Sequence, residues 1–230
     1  MYITAMASSS KPGLRTKSKK FIRSRFFPRT WLTEQERYFL DGGNTLLYPQ
    51  QLPSDSVCLD VGGYLGEFIQ GYLDRRNLGF IYSFEPVPEY YKIIIDKFGG
   101  QPQVAVLPYA LCPESGWLDV LPEGAATTLL QKNQISPIKS TTRIRCESFS
   151  ILSTLIPEGK VDWVKINIEG GEYELLHYLI SSTNIRNIQT LVVQFHPITG
   201  VELNEVHSLL SQTHIMIWGY EFVWERWDLR

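Results

Sequence analysis

The chain has 230 residues, of which 43% are hydrophobic and 20% are charged, as in an ordinary folded domain. That length suits one sizeable α/β domain and is short for two. No apolar run approaches the roughly 18–20 residues that cross a bilayer, and the N-terminus lacks the apolar core of a secretory signal. Three widely spaced cysteines, Cys58, Cys112 and Cys146, favour a reducing, cytoplasmic setting over a disulfide framework or a metal site.

Charge is unevenly distributed along the chain. Residues 1–30 hold eight bases and no acid, whereas the other 200 residues hold 14 bases and 24 acids, a net charge of −10. We therefore divide the chain into a basic, partly disordered arm at 1–32, a helix and linker at 33–53, and a main domain at 54–230.

Several partners fit the basic arm. A solvated tail is the simplest interpretation, and contact of residues 11–29 with an anionic membrane surface or an acidic glycan comes next, which would make the protein membrane-peripheral. An organelle transit peptide also fits a start that is rich in bases and free of acids. Nucleic acid is less favoured, because few aromatic residues are interleaved with the bases. The sequence does not indicate an oligomeric state.

Strands and helices alternate along the rest of the chain. Thr33-Glu-Gln-Glu36 has the spacing of a capping box and predicts a helix that ends before Gly42. Apolar runs between turn residues predict strands, and apolar residues three and four apart predict helices. The elements predicted in the main domain are strand 57–61, helix 65–75, strand 80–84, helix 88–98, strand 104–107, strand 162–168, helix 172–182, strand 188–195, helix 203–212, strand 214–218 and, after Gly219, strand 220–227.

Residues 112–147 interrupt this alternation. Segments 116–121 and 141–146 have the pattern of strands, and residues 124–129 between them predict a loop of small and hydroxyl-bearing residues. We interpret the region as an insertion beside the sheet on the substrate side.

The order of the elements predicts the fold class. Helices between strands indicate a doubly wound α/β fold, with a mostly parallel, seven-stranded sheet and helices on both faces. The last two strands have no helix between them, so they must pair antiparallel or one must leave the sheet. An antiparallel C-terminal strand is typical of class I methyltransferases and unusual in nicotinamide-binding Rossmann domains.

A glycine-rich loop, Asp60-Val-Gly-Gly-Tyr-Leu-Gly66, ends the first strand. Glycines there allow a tight turn and a close approach of the backbone to a ligand at the start of a helix. The spacing of Gly62, Gly63 and Gly66 does not match the Gly-x-Gly-x-x-Gly fingerprint of dinucleotide-binding domains.

Glu85 supports a nucleotide-like ligand. It ends the second strand, 23 residues after Gly62, where a carboxylate can accept hydrogen bonds from both ribose hydroxyls of an adenosine cofactor. Ala110 and Leu111 follow the third strand, where small and apolar residues are suited to flank an adenine ring.

The most informative segment is Asp162-Trp-Val-Lys-Ile-Asn-Ile-Glu-Gly-Gly-Glu172. An apolar strand stops at Asn167 and Glu169, and two glycines lead into a helix that Glu172 begins. In open α/β sheets ligands bind at the carboxyl ends of the strands. The segment therefore predicts an active site as well as a strand.

With these motifs the chain resembles the FkbM-type methyltransferases, which depend on S-adenosylmethionine, over about residues 57–200. The resemblance depends on the glycine loop, Phe84-Glu85-Pro86, Tyr109-Ala110-Leu111 and above all Val164-Lys-Ile-Asn-Ile-Glu-Gly-Gly-Glu172. It implies S-adenosylmethionine as the cofactor, held by Gly62, Gly66 and Glu85, and methylation of a hydroxyl on a sugar, glycan or related natural product. To this cofactor set we add Asp60, Gly63, Ala110, Leu111 and Asn167.

Two residues depart from the family pattern. Asn167 stands where aspartate is commoner, and Gln194-Phe195-His196 stands where the family often has Glu-x-His. Both changes remove a negative charge, so a divalent metal is not favoured. They are also compatible with an activity that differs from that of the family.

Three residues are candidates for the chemistry of methyl transfer. His196 is the preferred base, because it ends the fifth strand at the same sheet edge as Glu169 and has an unperturbed pKa of about 6.5. Glu169 is the alternative base or a group that orients the acceptor. Lys165 is the third candidate. We expect it to pair with Glu169 or Glu172 if it points into the site, and to be a charge at the edge or on the face of the sheet if it does not. A strand-end histidine bonded to the backbone is the structural alternative for His196.

The other conspicuous side chains have structural explanations of equal or greater weight. Glu172 can cap its helix, because the helix dipole favours a carboxylate there, and Tyr64 is either a cofactor contact or a core aromatic. We expect core or helix-surface roles for the remaining candidates, His177, His207, His214, Trp218, Trp224 and Trp227.

We therefore predict an O-methyltransferase that acts on a small-molecule or glycan acceptor. Three alternatives stay open at this point. They are an NAD-dependent enzyme, a non-catalytic binding module of the same fold, which Asn167 and Gln194 favour, and a nucleic-acid methyltransferase that uses the basic arm.

Overall fold

The computed structural model describes residues 29–123, 126–129, 141–156, 159–182 and 184–230. Residues 1–28 of the predicted arm lie outside the described residues. The helices are α1 (Glu34–Leu40), α2 (Gly43–Leu46), α3 (Glu67–Asp74), α4 (Pro88–Phe98), α5 (Ile151–Leu155), α6 (Glu172–Ser181) and α7 (Leu203–Leu210), with short 3₁₀ turns at Arg29–Trp31 and Asn184–Asn187. Within the described part of the chain, no helix has the length and apolar character needed to cross a membrane.

Strands in the described residues form two sheets. They are β1 (Val57–Val61), β2 (Phe80–Phe84), β3 (Val104–Leu107), β4 (Ala110–Cys112), β5 (Gly116–Glu123), β6 (Ala126–Leu129), β7 (Thr142–Ser148), β8 (Trp163–Ile166), β9 (Thr190–Val193), β10 (His214–Tyr220) and β11 (Trp224–Leu229).

The main sheet has seven strands in the order β10-β11-β9-β8-β1-β2-β3. Five neighbouring strands of this sheet run parallel: β9, β8, β1, β2 and β3. Strand β11 runs antiparallel to both β9 and β10. This confirms the predicted fold, a doubly wound sheet with an antiparallel C-terminal strand. Because the chain winds outward in both directions from β1, a crevice opens at the carboxyl ends of β1 and β8.

Helices cover both faces of the sheet, because successive strand residues point to opposite sides. In β1, Leu59 and Val61 join the core layer beneath α6 and α7, and Cys58 joins the layer beneath α1, α3 and α4. The helix predicted from Thr33 is α1, and its capping box with Glu36 is present. α3 begins at Glu67, two residues later than predicted, after Gly66 in the left-handed conformation.

A second, four-stranded sheet in the order β4-β7-β5-β6 is formed by the region predicted as an insertion. β4 pairs in parallel with β7, and β5 pairs antiparallel with β7 and β6. The loop predicted at 124–129 is wrong in part, because residues 126–129 form β6. Two of these residues are β-branched threonines, which suit a strand as well as a loop.

The predicted break at Gly219 is wrong. β10 continues through Gly219, which pairs with Glu225, and ends at Tyr220. The turn follows at residues 221–223, where the N–H of Val223 donates to the carbonyl oxygen of Tyr220 at 2.9 Å. Phe222 supplies the turn with a φ of 53°. A phenylalanine rarely adopts that conformation, so its residue type gave no signal for the turn.

Candidate active site

A cavity of about 220 Å³ opens at the carboxyl ends of β1, β2 and β8. The main sheet contributes residues that directly follow these strands, among them Gly62, Tyr64, Glu85, Asn167 and Glu169. The second sheet contributes a wall that consists of Ala110, Leu111, Cys112, Val120 and Ile144. Of the residues predicted for the site, the structure places six in the lining: Gly62, Glu85, Ala110, Leu111, Asn167 and Glu169.

The glycine loop after β1 requires glycine for its backbone conformation and for its close packing. Gly62 and Gly66 have φ values of 91° and 77°, in the left-handed region that favours glycine. A Cβ on Gly62 would lie only 2.0 Å from the carbonyl oxygen of Asn167. The loop thus passes against the end of β8 with no room for a side chain. Gly63 and Gly66 shape this loop but do not line the cavity.

Glu85 lies buried at the end of β2 and is fixed by the backbone. One carboxylate oxygen accepts from the N–H of Tyr64 at 2.7 Å and the other from the N–H of Val87 at 2.8 Å. Each oxygen keeps acceptor capacity for a further donor. Burial raises the pKa of Glu85 to about 7, against the opposing effect of the two backbone hydrogen bonds. Donors from a ligand would therefore favour the ionised form of this carboxyl.

Asp60 and Lys165 face each other instead of the cavity. Nζ of Lys165 donates to Oδ1 of Asp60 at 2.9 Å and to the carbonyl oxygen of Gly62 at 2.6 Å. The hydroxyl of Ser83 donates to Oδ2 of Asp60 at 2.9 Å. Lys165 therefore does not point into the cavity, and it pairs with Asp60 instead of Glu169 or Glu172. The reason is the strand register, which sets Lys165 of β8 opposite Asp60 of β1.

Three titratable side chains form a row at the edge of the cavity. Nε2 of His196 lies 3.3 Å from Oε2 of Glu169, and Nδ1 lies 3.1 Å from Oε1 of Glu172. Glu172 is fully buried and also accepts from the backbone N–H of His196 at 2.7 Å and of Gly170 at 2.8 Å. Only Glu169 of the three lines the cavity, so His196 lies behind it.

The row makes His196 more basic than its sequence context suggested. Burial lowers the pKa of His196, but hydrogen bonds to Glu169 and Glu172 and the charges of both outweigh burial and raise the pKa from 6.5 to about 9. The imidazole is therefore protonated at neutral pH in the free protein. The sequence-based expectation that His196 titrates near neutrality is therefore wrong, because its two carboxylate neighbours favour the protonated imidazole.

Two residues of the cavity lining have strained backbone conformations. Glu169 and Tyr64 line it with φ values of 51° and 47°, a region that residues with a Cβ rarely adopt. Gly170 follows Glu169 with a φ of 106°. The turn after β8 is thus a sharp one that leaves the Glu169 side chain in the cavity wall. Tyr64 stacks edge-on against Tyr90, with ring centroids 4.8 Å apart.

Asn167 carries an unsatisfied acceptor. Its side-chain oxygen is buried and has no hydrogen-bond partner among the described residues, although the residue lines the cavity. Buried polar atoms of this kind are rare, and a ligand that donates a hydrogen bond would satisfy this one. The charged residues in the described lining are the acids Glu67, Glu85 and Glu169. Such a lining fits S-adenosylmethionine, which carries a sulfonium charge, an ammonium group and two ribose hydroxyls.

Metal ligands are not assembled in the part of the chain that the structure describes. No group of three or more His, Cys, Asp or Glu side chains there could hold a metal ion.

The remaining sequence candidates lie away from the cavity lining. His207 pairs with Glu225 at 2.9 Å, and the buried His214 contacts the Ile188 carbonyl oxygen at 3.0 Å. Trp224 and Trp227 are buried in the core, and His177 is exposed on α6. Sequence reasoning missed several lining residues of the second sheet, because the face to which a strand residue points depends on a pairing that the sequence does not reveal: Cys112, Val120 and Ile144.

Comparisons with known proteins agree with the motifs. The model of the methyltransferase FkbM domain matches residues 60–221. No curated protein matches the chain. Among solved structures, the fibrillarin/Nop5p complex shares 14% identity over 86% of this chain and 81% of that chain, with a TM-score of 0.44. The M. capricolum TrmK structure with S-adenosyl-homocysteine shares 12% identity over 84% of this chain and 68% of that chain, with a TM-score of 0.43.

The matched segment covers more than half of the chain and contains the glycine loop, Glu85 and the motif from Lys165 to Glu172. The chain therefore belongs to the FkbM methyltransferase family and is a methyltransferase that depends on S-adenosylmethionine.

Proposed function

We propose that the protein methylates a hydroxyl group on a sugar, glycan or related natural product. The observation that carries this proposal is the row of Glu169, His196 and Glu172 at the edge of the cavity. A hydroxyl oxygen must lose its proton when it gains a methyl group, so an alcohol acceptor needs a nearby group that accepts the proton. The row supplies such groups beside the cavity.

The cofactor side of the cavity is formed by the glycine loop and Glu85. When bound, S-adenosylmethionine supplies an electrophilic methyl carbon on a sulfonium. The carboxylate of Glu85 would accept hydrogen bonds from the two ribose hydroxyls, and Ala110 and Leu111 would flank the adenine. The unsatisfied oxygen of Asn167 would accept a hydrogen bond from the cofactor, and the acidic lining would favour its sulfonium and ammonium charges.

The acceptor side is formed by Glu169, because it alone of the row lines the cavity. Its carboxylate accepts a hydrogen bond from the acceptor hydroxyl and so orients the oxygen for in-line attack. Methyl transfer forms the new O–C bond as the methyl C–S bond breaks, and the sulfur leaves with the bonding electron pair as S-adenosylhomocysteine. The hydroxyl proton would pass to Glu169 and from there to Nε2 of a neutral His196. Glu172 stabilises the resulting imidazolium through Nδ1. The row thus moves one proton away from the acceptor oxygen.

An acceptor panel tests the proposal. Full-length protein with S-adenosylmethionine is incubated with hydroxyl-bearing sugars, glycans and natural products, and S-adenosylhomocysteine release is measured. We expect release with a hydroxyl acceptor and none with the same compound after that hydroxyl is removed or blocked. Transfer to a nitrogen, to a carbon or to nucleic acid, with no transfer to any hydroxyl, would contradict it.

A further inference from the structure

We infer that Lys165 is a positioning residue that fixes the cofactor loop against the strand end that carries Asn167 and Glu169. Its ammonium donates to the carbonyl oxygen of Gly62 at 2.6 Å, in addition to its pairing with Asp60 at 2.9 Å. This inference depends on the family's use of S-adenosylmethionine and is independent of the acceptor.

Hydrogen bonds from both neighbouring strands hold the glycine loop in place. On one side, the N–H groups of Gly62 and Gly63 donate to the carbonyl oxygen of Phe84, at 3.1 and 3.0 Å. On the other side, Lys165 of β8 donates to the carbonyl oxygen of Gly62. The backbone hydrogen bonds can form whatever the residue types. The hydrogen bond from β8, which we call the anchor together with the Asp60 pairing, requires a long side chain with a donor at its tip. Lys165 is the residue that supplies it.

The charges of this anchor are buried. Asp60 is fully buried, and the side chain of Lys165 is 9% exposed. Burying an ion pair costs free energy that burying well-packed apolar residues would not cost. Stability alone therefore does not explain why this pair is present. An apolar pair could not donate to the Gly62 carbonyl. The arrangement is therefore better explained by the position it imposes on the loop than by its contribution to stability.

The anchor also couples the two halves of the cavity. Lys165 lies two residues before Asn167 and four before Glu169 in the same segment. The α-carbon of Gly62 is in contact with the Asn167 carbonyl, since a Cβ there would lie 2.0 Å from that oxygen. A shift of the loop would therefore move it relative to Asn167 on the cofactor side and Glu169 on the acceptor side.

Two variants isolate the Lys165 hydrogen bond from the buried charge. Asp60→Asn keeps the Lys165 donor and an oxygen for Ser83, and Asp60→Asn with Lys165→Met removes the donor without leaving an unpaired carboxylate. The probe is S-adenosylhomocysteine, measured by calorimetry on full-length protein. We expect the double variant to bind about tenfold or more weakly than Asp60→Asn, as for the loss of a hydrogen bond from a charged group.

Two further measurements separate positioning from folding. Glu225→Gln alters the contact of the buried Glu225 with His207, away from the cavity, so it should lower the melting temperature and leave the Kd within about twofold of the native value. Lys165→Met alone, once circular dichroism shows native secondary structure, must weaken binding at least as much as the double variant does. A folded double variant or a folded Lys165→Met whose Kd stays within about twofold of that of Asp60→Asn would overturn the inference.

Discussion

The buried carboxylate of Glu172 lies 3.1 Å from Nδ1 of His196 and directs the other ring nitrogen toward Glu169, at 3.3 Å. The same carboxylate accepts from the backbone N–H of His196 at 2.7 Å, so it fixes the residue as well as the ring. The hydroxyl of Tyr173 donates to the carbonyl oxygen of His196 at 2.9 Å and completes the support. His196 is therefore a rigid, strongly basic imidazole one side chain away from the cavity.

Replacement of His196 should separate catalysis from cofactor binding. We expect His196→Gln to lower turnover by about tenfold or more, as for the loss of a general base, and to leave the affinity for S-adenosylhomocysteine nearly unchanged, because His196 does not line the cavity. Turnover and calorimetry on the same preparation check this. The matched control is His177→Gln on the exposed face of α6, which should behave as the native protein. Native turnover in His196→Gln would refute its role.

Cofactor affinity should depend on pH through Glu85. Because the pKa of Glu85 is raised to about 7, part of its carboxyl is protonated at neutral pH. In the proposed ribose role, only the ionised form would accept from both ribose hydroxyls. The Kd for S-adenosylhomocysteine should therefore rise as the pH falls through about 7.

A pair of variants assigns this pH dependence. Glu85→Gln should bind more weakly than the native protein above pH 7, approach its affinity at lower pH and lose the change near pH 7. Glu89→Gln, an exposed acid at the start of α4, should keep it. The ribose role of Glu85 fails if Glu85→Gln binds with native affinity across the range.

The stability of the protein should also report the His196 pKa. Its folded-state pKa of about 9 lies above the ordinary 6.5, so the folded state binds this proton more tightly than the unfolded state. The stabilisation is complete below pH 6.5 and is lost as the pH rises through about 9. Urea unfolding gives the free energies of unfolding of the native protein and of His196→Gln. The two values should converge as the pH rises over that interval. A difference that stays constant with pH would contradict the raised pKa.

The framework of the fold could be predicted from local patterns. The bounds of β1, β2, β3 and α4 agree with the predicted ones, because each apolar run ends at turn residues or at a proline. The end of β8 was predicted two residues late, since Asn167 and Ile168 continue the apolar alternation into the turn at Glu169.

The site was only partly readable from the sequence. Glu85, Asn167 and Glu169 could be placed at the cavity because parallel strands bring their carboxyl ends to one edge. The pairing of Lys165 with Asp60 could not be predicted, because it depends on the register of two strands that are 105 residues apart in the sequence. The raised pKa of His196 likewise depends on its contacts with Glu169 and Glu172, which lie 27 and 24 residues away in the sequence.

The pH dependence of turnover is the measurement that tests the proton route most directly. Because the neutral form of His196 must receive the proton and its pKa in the free protein is about 9, the native kcat/KM for the acceptor should rise with pH, with a midpoint near 9. His196→Gln should be slow and show no such rise. A native kcat/KM that stays flat from neutral pH to pH 9, or a His196→Gln variant with the native profile, would contradict the account.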